Sequence, residues 1–187
     1  MNMWELQLSS TNGGDNTVAP FCLFLSGFMK KYSAVIIFII ILLGLGYWLT
    51  RPVFYVQGEK GLITEIEAYD GLPLQIDFIH SVQKTPVEER LHLSDDLKTI
   101  KLDSTIYHSF GVGLPFLAEE GDWHQEGNDF IIDNMNRNFP KLSLRTGVGT
   151  KLTLTVDNEV FPVYESVPPG YRIDIYVAPR YQKYLDR

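Results

Sequence analysis

Two hydrophobic rhythms divide this chain. From Ser33 to Leu49 it reads SAVIIFIIILLGLGYWL, an apolar run without a charge. At ~1.5 Å per residue, a helix of that length approaches the ~30 Å hydrocarbon thickness of a bilayer. Beyond Arg51 the continuous run gives way to short stretches in which apolar and polar positions alternate. Leu74, Ile76 and Phe78 share one phase, as do Val87, Leu91 and Leu93. Leu152, Leu154 and Val156 repeat the pattern, and so do Tyr171, Ile173, Ile175 and Val177. A period of two is the signature of half-buried strands, and no long stretch past residue 50 carries a helical period. Turn signals punctuate the runs, among them Asp70-Gly71, Glu126-Gly127-Asn128, Asp157-Asn158 and Pro168-Pro169-Gly170. The pattern predicts one transmembrane helix followed by an all-β domain. That domain is a β-sandwich or partly closed barrel of about eight to ten short antiparallel strands.

The flanks of the apolar run refine this division. Lys30 and Lys31 precede it, and Tyr47 and Trp48 close it. Basic residues favour the cytoplasmic side and aromatic rings the interface, which predicts N-terminus in and C-terminus out. A cleaved signal peptide is the alternative, but Tyr47-Trp48-Leu49 is bulky where a cleavage site needs small residues. The expected organisation has four parts. Residues 1–28 are a disordered extension or lie ahead of a start at Met29, residues 29–50 are the anchor, residues 51–180 are an extracytoplasmic β-domain, and residues 181–187 are a tail.

Charge narrows the partners. Glu5, Asp15, Lys30 and Lys31 cancel, so the domain after the anchor carries the whole formal charge of −7. An acidic domain without clustered Lys and Arg is not built for nucleic acid. The lone Cys22 excludes an internal disulfide and a thiolate metal cluster.

The candidate chemistry gathers around Phe78-Ile-His-Ser-Val-Gln-Lys-Thr-Pro-Val-Glu-Glu-Arg90. Phasing from Leu74 puts His80 on the inward face. Phasing from Val87 puts Glu89 inward and Glu88 outward. A turn at 83–85 would set His80 across from Glu88 or Glu89, with Glu89 the expected partner because an inward carboxylate needs one. In the run Ile100, Leu102, Ser104, Ile106, His108 the same phasing turns His108 inward. Two inward histidines and a glutamate are zinc-ligand types, but their spacing fits no zinc signature, and neither a metal nor another cofactor is assigned. Trp123 reads as a hairpin tip able to touch a partner. Arg145 is out of phase with its leucines, hence a surface residue or an anion contact. No nucleophile elbow, phosphate loop or H-E-x-x-H motif is present, and no catalytic residue is assigned.

The stretch His80-Ser-Val-Gln-Lys-Thr-Pro-Val-Glu-Glu89 resembles the H-S-V-x-K-x-P-V-E-E signature of DUF1850, an uncharacterised bacterial and archaeal family. Ser109-Phe-Gly-Val-Gly-Leu-Pro115 resembles its second motif, S-F-G-A-G-L-P, with Val112 in place of alanine. The similarity is read over residues 54–178. His80, Ser81, Lys84, Pro86, Glu88, Glu89, Ser109, Gly111 and Gly113 occupy the matched positions. The resemblance implies a small anchored or exported protein whose gene neighbours encode TAXI-type TRAP transporters. It implies an accessory role in uptake of carboxylates or amino acids, with the permease or its solute receptor as partner. The expected function is therefore a membrane-anchored accessory or adaptor. A small-ligand sensor or hydrolase-like enzyme built on a His80/Glu89 pocket is the alternative, and a structural envelope domain the third reading.

Overall fold

The computed structural model describes residues 18–108 and 121–185. It divides into two units, residues 1–47 and 48–187. The first contains most of helix α1 (Val18–Thr50), which starts ahead of Met29, inside the stretch expected to be extension. Its portion Tyr32–Thr50 is long and apolar enough to cross a membrane. Ile36, Phe38, Ile40, Leu43 and Leu45 are each half exposed or more, so no face is reserved for a protein core.

The second unit is a sandwich of two antiparallel sheets, with no closed barrel among the described residues. One sheet has the order β2-β1-β12-β9, formed by β1 (Pro52–Gly58), β2 (Gly61–Glu67), β9 (Lys141–Arg145) and β12 (Arg172–Pro179). The other runs β11-β10-β3-β4-β5-β7-β6, with β8 also paired to β5. Its strands are β3 (Pro73–Ile79), β4 (Pro86–Leu93), β5 (Ile100–Tyr107), β6 (Asp122–Glu126), β7 (Asp129–Asp133), β8 (Arg137–Phe139), β10 (Thr153–Val156) and β11 (Glu159–Phe161). Phe54, Val56, Ile173 and Ile175 of the first sheet meet Leu74, Ile76, Leu91, Leu102 and Leu154 of the second in one buried core. Burial of these inward positions is what the alternation encodes.

Among the described residues twelve strands exceed the eight to ten expected, and the extra ones have no alternation to read. β8 and β11 are three residues each. β6 is polar and exposed along most of its length. β1 is buried on both faces. Phe54 and Val56 enter the main core, while Val53 and Tyr55 form a second cluster with Ala178 and Tyr176. Two-sided burial turns a strand into a continuous apolar run. The expected tail forms a 3₁₀ helix, Arg180–Tyr184, tied to β2 by Lys183 Nζ donating to Glu65 Oε1 at 2.8 Å. Residues 163–166 form the short helix α2 (Val163–Ser166).

A bulge redirects β5. Arg90 pairs with Ser104 and Leu91 with Leu102, leaving Asp103 as the extra residue. Its carbonyl accepts the Met135 N–H at 3.0 Å. Ahead of the bulge Ile100 and Leu102 face the core. Behind it Thr105 and Tyr107 do, at 2% and 1% exposure.

The loop after β4 is held by Asp96. Its carboxylate accepts the Ser94 hydroxyl at 2.5 Å and the Lys98 and Thr99 N–H groups at 2.8 and 3.1 Å. These bonds, the Ser94 hydroxyl first, pull its pKa from 3.8 down to about 2. A depressed carboxylate stabilises the fold above its unfolded pKa and ceases to as pH falls through the folded one. Asp96→Asn is expected to be less stable than the native chain at pH 7. The difference should close between pH 3.8 and about 2 in urea unfolding followed across pH. A difference that persists unchanged at the acid end would refute this.

Candidate functional site

A cavity of about 470 Å³ opens between the two sheets at the end where β3 runs into its turn. Its apolar wall comes from Ile76 and Phe78 of β3, Leu102 of β5, Leu144 of β9 and Leu152 ahead of β10. Its polar groups are His80, Ser81, Glu89, Thr105, Arg137, Arg145 and Thr150. Each arrives there through strand register. Glu89 is opposite Ile76 on one side and Thr105 on the other, all three on the inward phase. Arg137 is opposite Leu102, another inward position. Arg145 lies on the outward phase of β9, but β9 is an edge strand and its long side chain still lines the mouth. There Nη1 donates to the Gly170 carbonyl at 2.8 Å.

Glu89 is the unusual group. It sits partly buried in mid-strand among apolar neighbours and makes no hydrogen bond or ion pair with any described residue. Burial pushes its pKa up, and the charge of Arg137 offsets only part of that rise. An acid raised on folding stabilises fully below its unfolded pKa, and that contribution is lost as pH rises through the folded value. Glu89→Gln is therefore expected to be more stable than the native chain at pH 7. It should also lack the fall in stability that the native chain shows as pH rises above the ordinary glutamate value. Thermal unfolding of both proteins from pH 4 to pH 8 checks this; equal slopes would refute it.

His80 is in the cavity but not in the expected pair. Its backbone N–H donates to Thr85 at 2.8 Å, so the turn begins earlier than position 83 and Glu89 lies farther down the ladder. The ring is also committed locally. Nδ1 accepts the N–H of Gln83 at 3.1 Å and that of Val82 at 3.4 Å. A nitrogen that accepts two donors carries no proton, so the ring proton is on Nε2. His80 thus caps its own turn and offers a donor at its other edge. Lys84 closes the same turn with φ 58° and is exposed.

The remaining candidates separate. The bulge at Asp103 turns His108 outward, opposite to expectation. It bonds Asp129 at 3.0 Å in a groove on the outer face of the larger sheet, shared with Glu88 and Arg90. Glu88 accepts from Arg90 Nε at 2.5 Å. His80, Glu89 and His108 therefore do not converge, and no cluster of three or more metal-ligand side chains occurs among the described residues. Trp123 is on the edge strand β6 rather than at a hairpin tip, 51% exposed, with its ring stacked 6.3 Å from Phe130. Ser109, Gly111 and Gly113 lie outside the described residues. Arg137 escaped sequence reading because a three-residue strand has no phase of its own. Only its register against Leu102 turns it inward.

Residues 74–163 match the model of a family described as a domain of unknown function, DUF1850. The match is narrower than the 54–178 expected. It starts in β3 and ends at the beginning of α2, which includes every polar group of the cavity. No curated protein and no solved structure matches the chain.

Proposed function

We propose that the chain is a membrane-anchored accessory protein of solute uptake whose β-domain takes a small organic carboxylate into the cavity between its sheets. The carrying observation is the meeting of Arg145, Arg137 and His80 with an apolar wall in one space of about 470 Å³. That size falls in the range of small-molecule sites, which combine apolar walls with a few convergent polar groups. Guanidinium groups recognise carboxylates through paired, charge-assisted hydrogen bonds. The enzyme reading loses support because His80 is committed to its turn and His108 faces the other way.

The setting is read from the anchor and the resemblance. Lys30 and Lys31 before the apolar run favour a cytoplasmic start, which puts the domain on the extracytoplasmic side. The family resemblance points to a TAXI-type TRAP permease or its solute receptor as the partner. Anchoring holds the domain near a permease at high effective concentration, so weak contacts suffice. Trp123 on its edge strand is the contact residue of this proposal.

Two measurements test it. A panel of short monocarboxylates should raise the thermal midpoint of the purified chain, and Arg145→Gln should weaken that binding about 10-fold or more. No shift with any member at millimolar concentration would sink the cavity reading. Extraction with the neighbouring transporter in mild detergent should recover permease or receptor, with less recovered from Trp123→Ala. Recovery of neither would sink the accessory role.

A further inference from the structure

We infer that the β-domain makes a second contact with the bilayer, at its C-terminal 3₁₀ helix, where Arg180 takes the phosphate of an anionic phospholipid headgroup. The inference rests on Tyr32–Thr50 being a membrane span and is independent of what the cavity binds. Chain connectivity fixes the depth of the site. The span ends at Thr50, and β1 starts at Pro52, directly opposite Pro179 at the end of β12. The last strand thus returns the chain to the point where the first leaves the membrane. Arg180 follows at once, and its N–H donates to the carbonyl of Arg51 at 3.0 Å.

The Arg180 guanidinium lies 4.7 Å from the ring centroid of Trp48, a residue in the last turn of the span. A tryptophan at the end of a span sits at headgroup level, so a cation stacked on it is level with the lipid phosphates. Among the described residues that guanidinium makes no hydrogen bond or ion pair, and its Nε is buried without an acceptor. The neighbouring bases differ, since Arg51 is paired with Glu67 and Lys183 with Glu65. Arg51 is the main influence on Glu67, and the Arg180 charge adds least. Phosphate oxygens are the acceptors that complete Arg180, through paired, charge-assisted hydrogen bonds. Tyr181, exposed beside it, adds a second ring suited to the interface.

The distribution of charge selects this part of the domain. The strands of the larger sheet hold nine acids and three bases. The strands of the smaller sheet and the 3₁₀ helix hold five bases and three acids. An anionic surface repels the first group and attracts the second. A free phosphate offers the same oxygens, but nothing collects it at the depth of Trp48. The lipid is already there.

The test is hydrogen exchange on the full chain in three kinds of bilayer disc. These are phosphatidylcholine alone, an equal mixture of phosphatidylcholine and phosphatidylglycerol, and phosphatidylcholine with inorganic phosphate added. Residues 180–184 are expected to exchange about fivefold more slowly in the mixed discs than in phosphatidylcholine, the gain from one base at an anionic surface. High salt should narrow the difference. Arg180→Gln should abolish it and Arg180→Lys should keep most of it, with exchange in β12 unchanged in both. Equal exchange in the two lipid mixtures, or a difference that survives Arg180→Gln, overturns the inference. So does inorganic phosphate that slows exchange as much as phosphatidylglycerol. A chain that enters none of the discs takes the anchor reading down with it. The comparison of discs on the unaltered chain decides the matter even where a variant folds poorly.

Discussion

Phe54→Ala is expected to lower the stability of the β-domain by about 3–5 kcal/mol, among the largest losses of any single core truncation. Phe54 is 1% exposed in β1, between β2 and β12, and packs into the core shared by both sheets. Alanine removes the ring and leaves a void that strands pinned by ladders on both sides cannot close. For a domain of this size the loss corresponds to a fall in Tm of roughly 10–20 °C. Thermal unfolding of the two proteins under one set of conditions measures it. A fall of only a few degrees would mean that the sheets collapse onto the gap and that β1 is not clamped as its pairing indicates.

Deleting Ile106 is expected to be nearly as damaging, whereas deleting the bulge residue Asp103 is not. Beyond the bulge Thr105 and Tyr107 face inward, and Ile106 and His108 face outward. Without Ile106 the alternation that continues from Thr105 turns Tyr107 out and His108 in. Losing the burial of Tyr107 and forcing His108 toward the core costs about 3 kcal/mol or more. Deletion of Asp103 is the control. It removes the extra residue, so Ile100, Leu102, Thr105 and Tyr107 keep their inward phase in a regular strand. It loses the Met135 N–H bond to the Asp103 carbonyl and the partly exposed His92–Asp103 contact at 2.7 Å, together about 1–2 kcal/mol. Urea unfolding separates the two. If both deletions cost the same, the phase of β5 beyond the bulge is not what buries Tyr107.

The bulge also marks where sequence reading succeeds and fails. The β3–β4 hairpin was legible because both strands alternate without interruption, and Glu89 came out inward from phase alone. The identical procedure put His108 inward, because period two carries no record of an inserted residue. His80 was placed on the right face but given the wrong partner. Its Nδ1 bonds to N–H groups two and three residues away, a local competition that strand phasing does not see. Arg137 was invisible for a third reason, since its orientation is inherited wholly from the neighbouring strand. Phase is a local property and was readable. Register and turn chemistry depend on what lies alongside, and were not.

β1 has one more consequence, for the order in which the domain takes shape. It is the first strand, and it pairs along its whole length with the last, Pro52 opposite Pro179 and Gly58 opposite Ile173. Its apolar residues point both ways, so alone it is a short stretch of hydrophobic chain with no shielded side. Contacts so distant in sequence close late and slowly. During synthesis the earliest strand can pair with β2 at once, but its other edge stays open until the latest has emerged. The exposed intermediate has its most adhesive segment immediately after the anchor. Folding of this domain is a matter of timing, completed only when its last strand, Arg172–Pro179, docks beside its first.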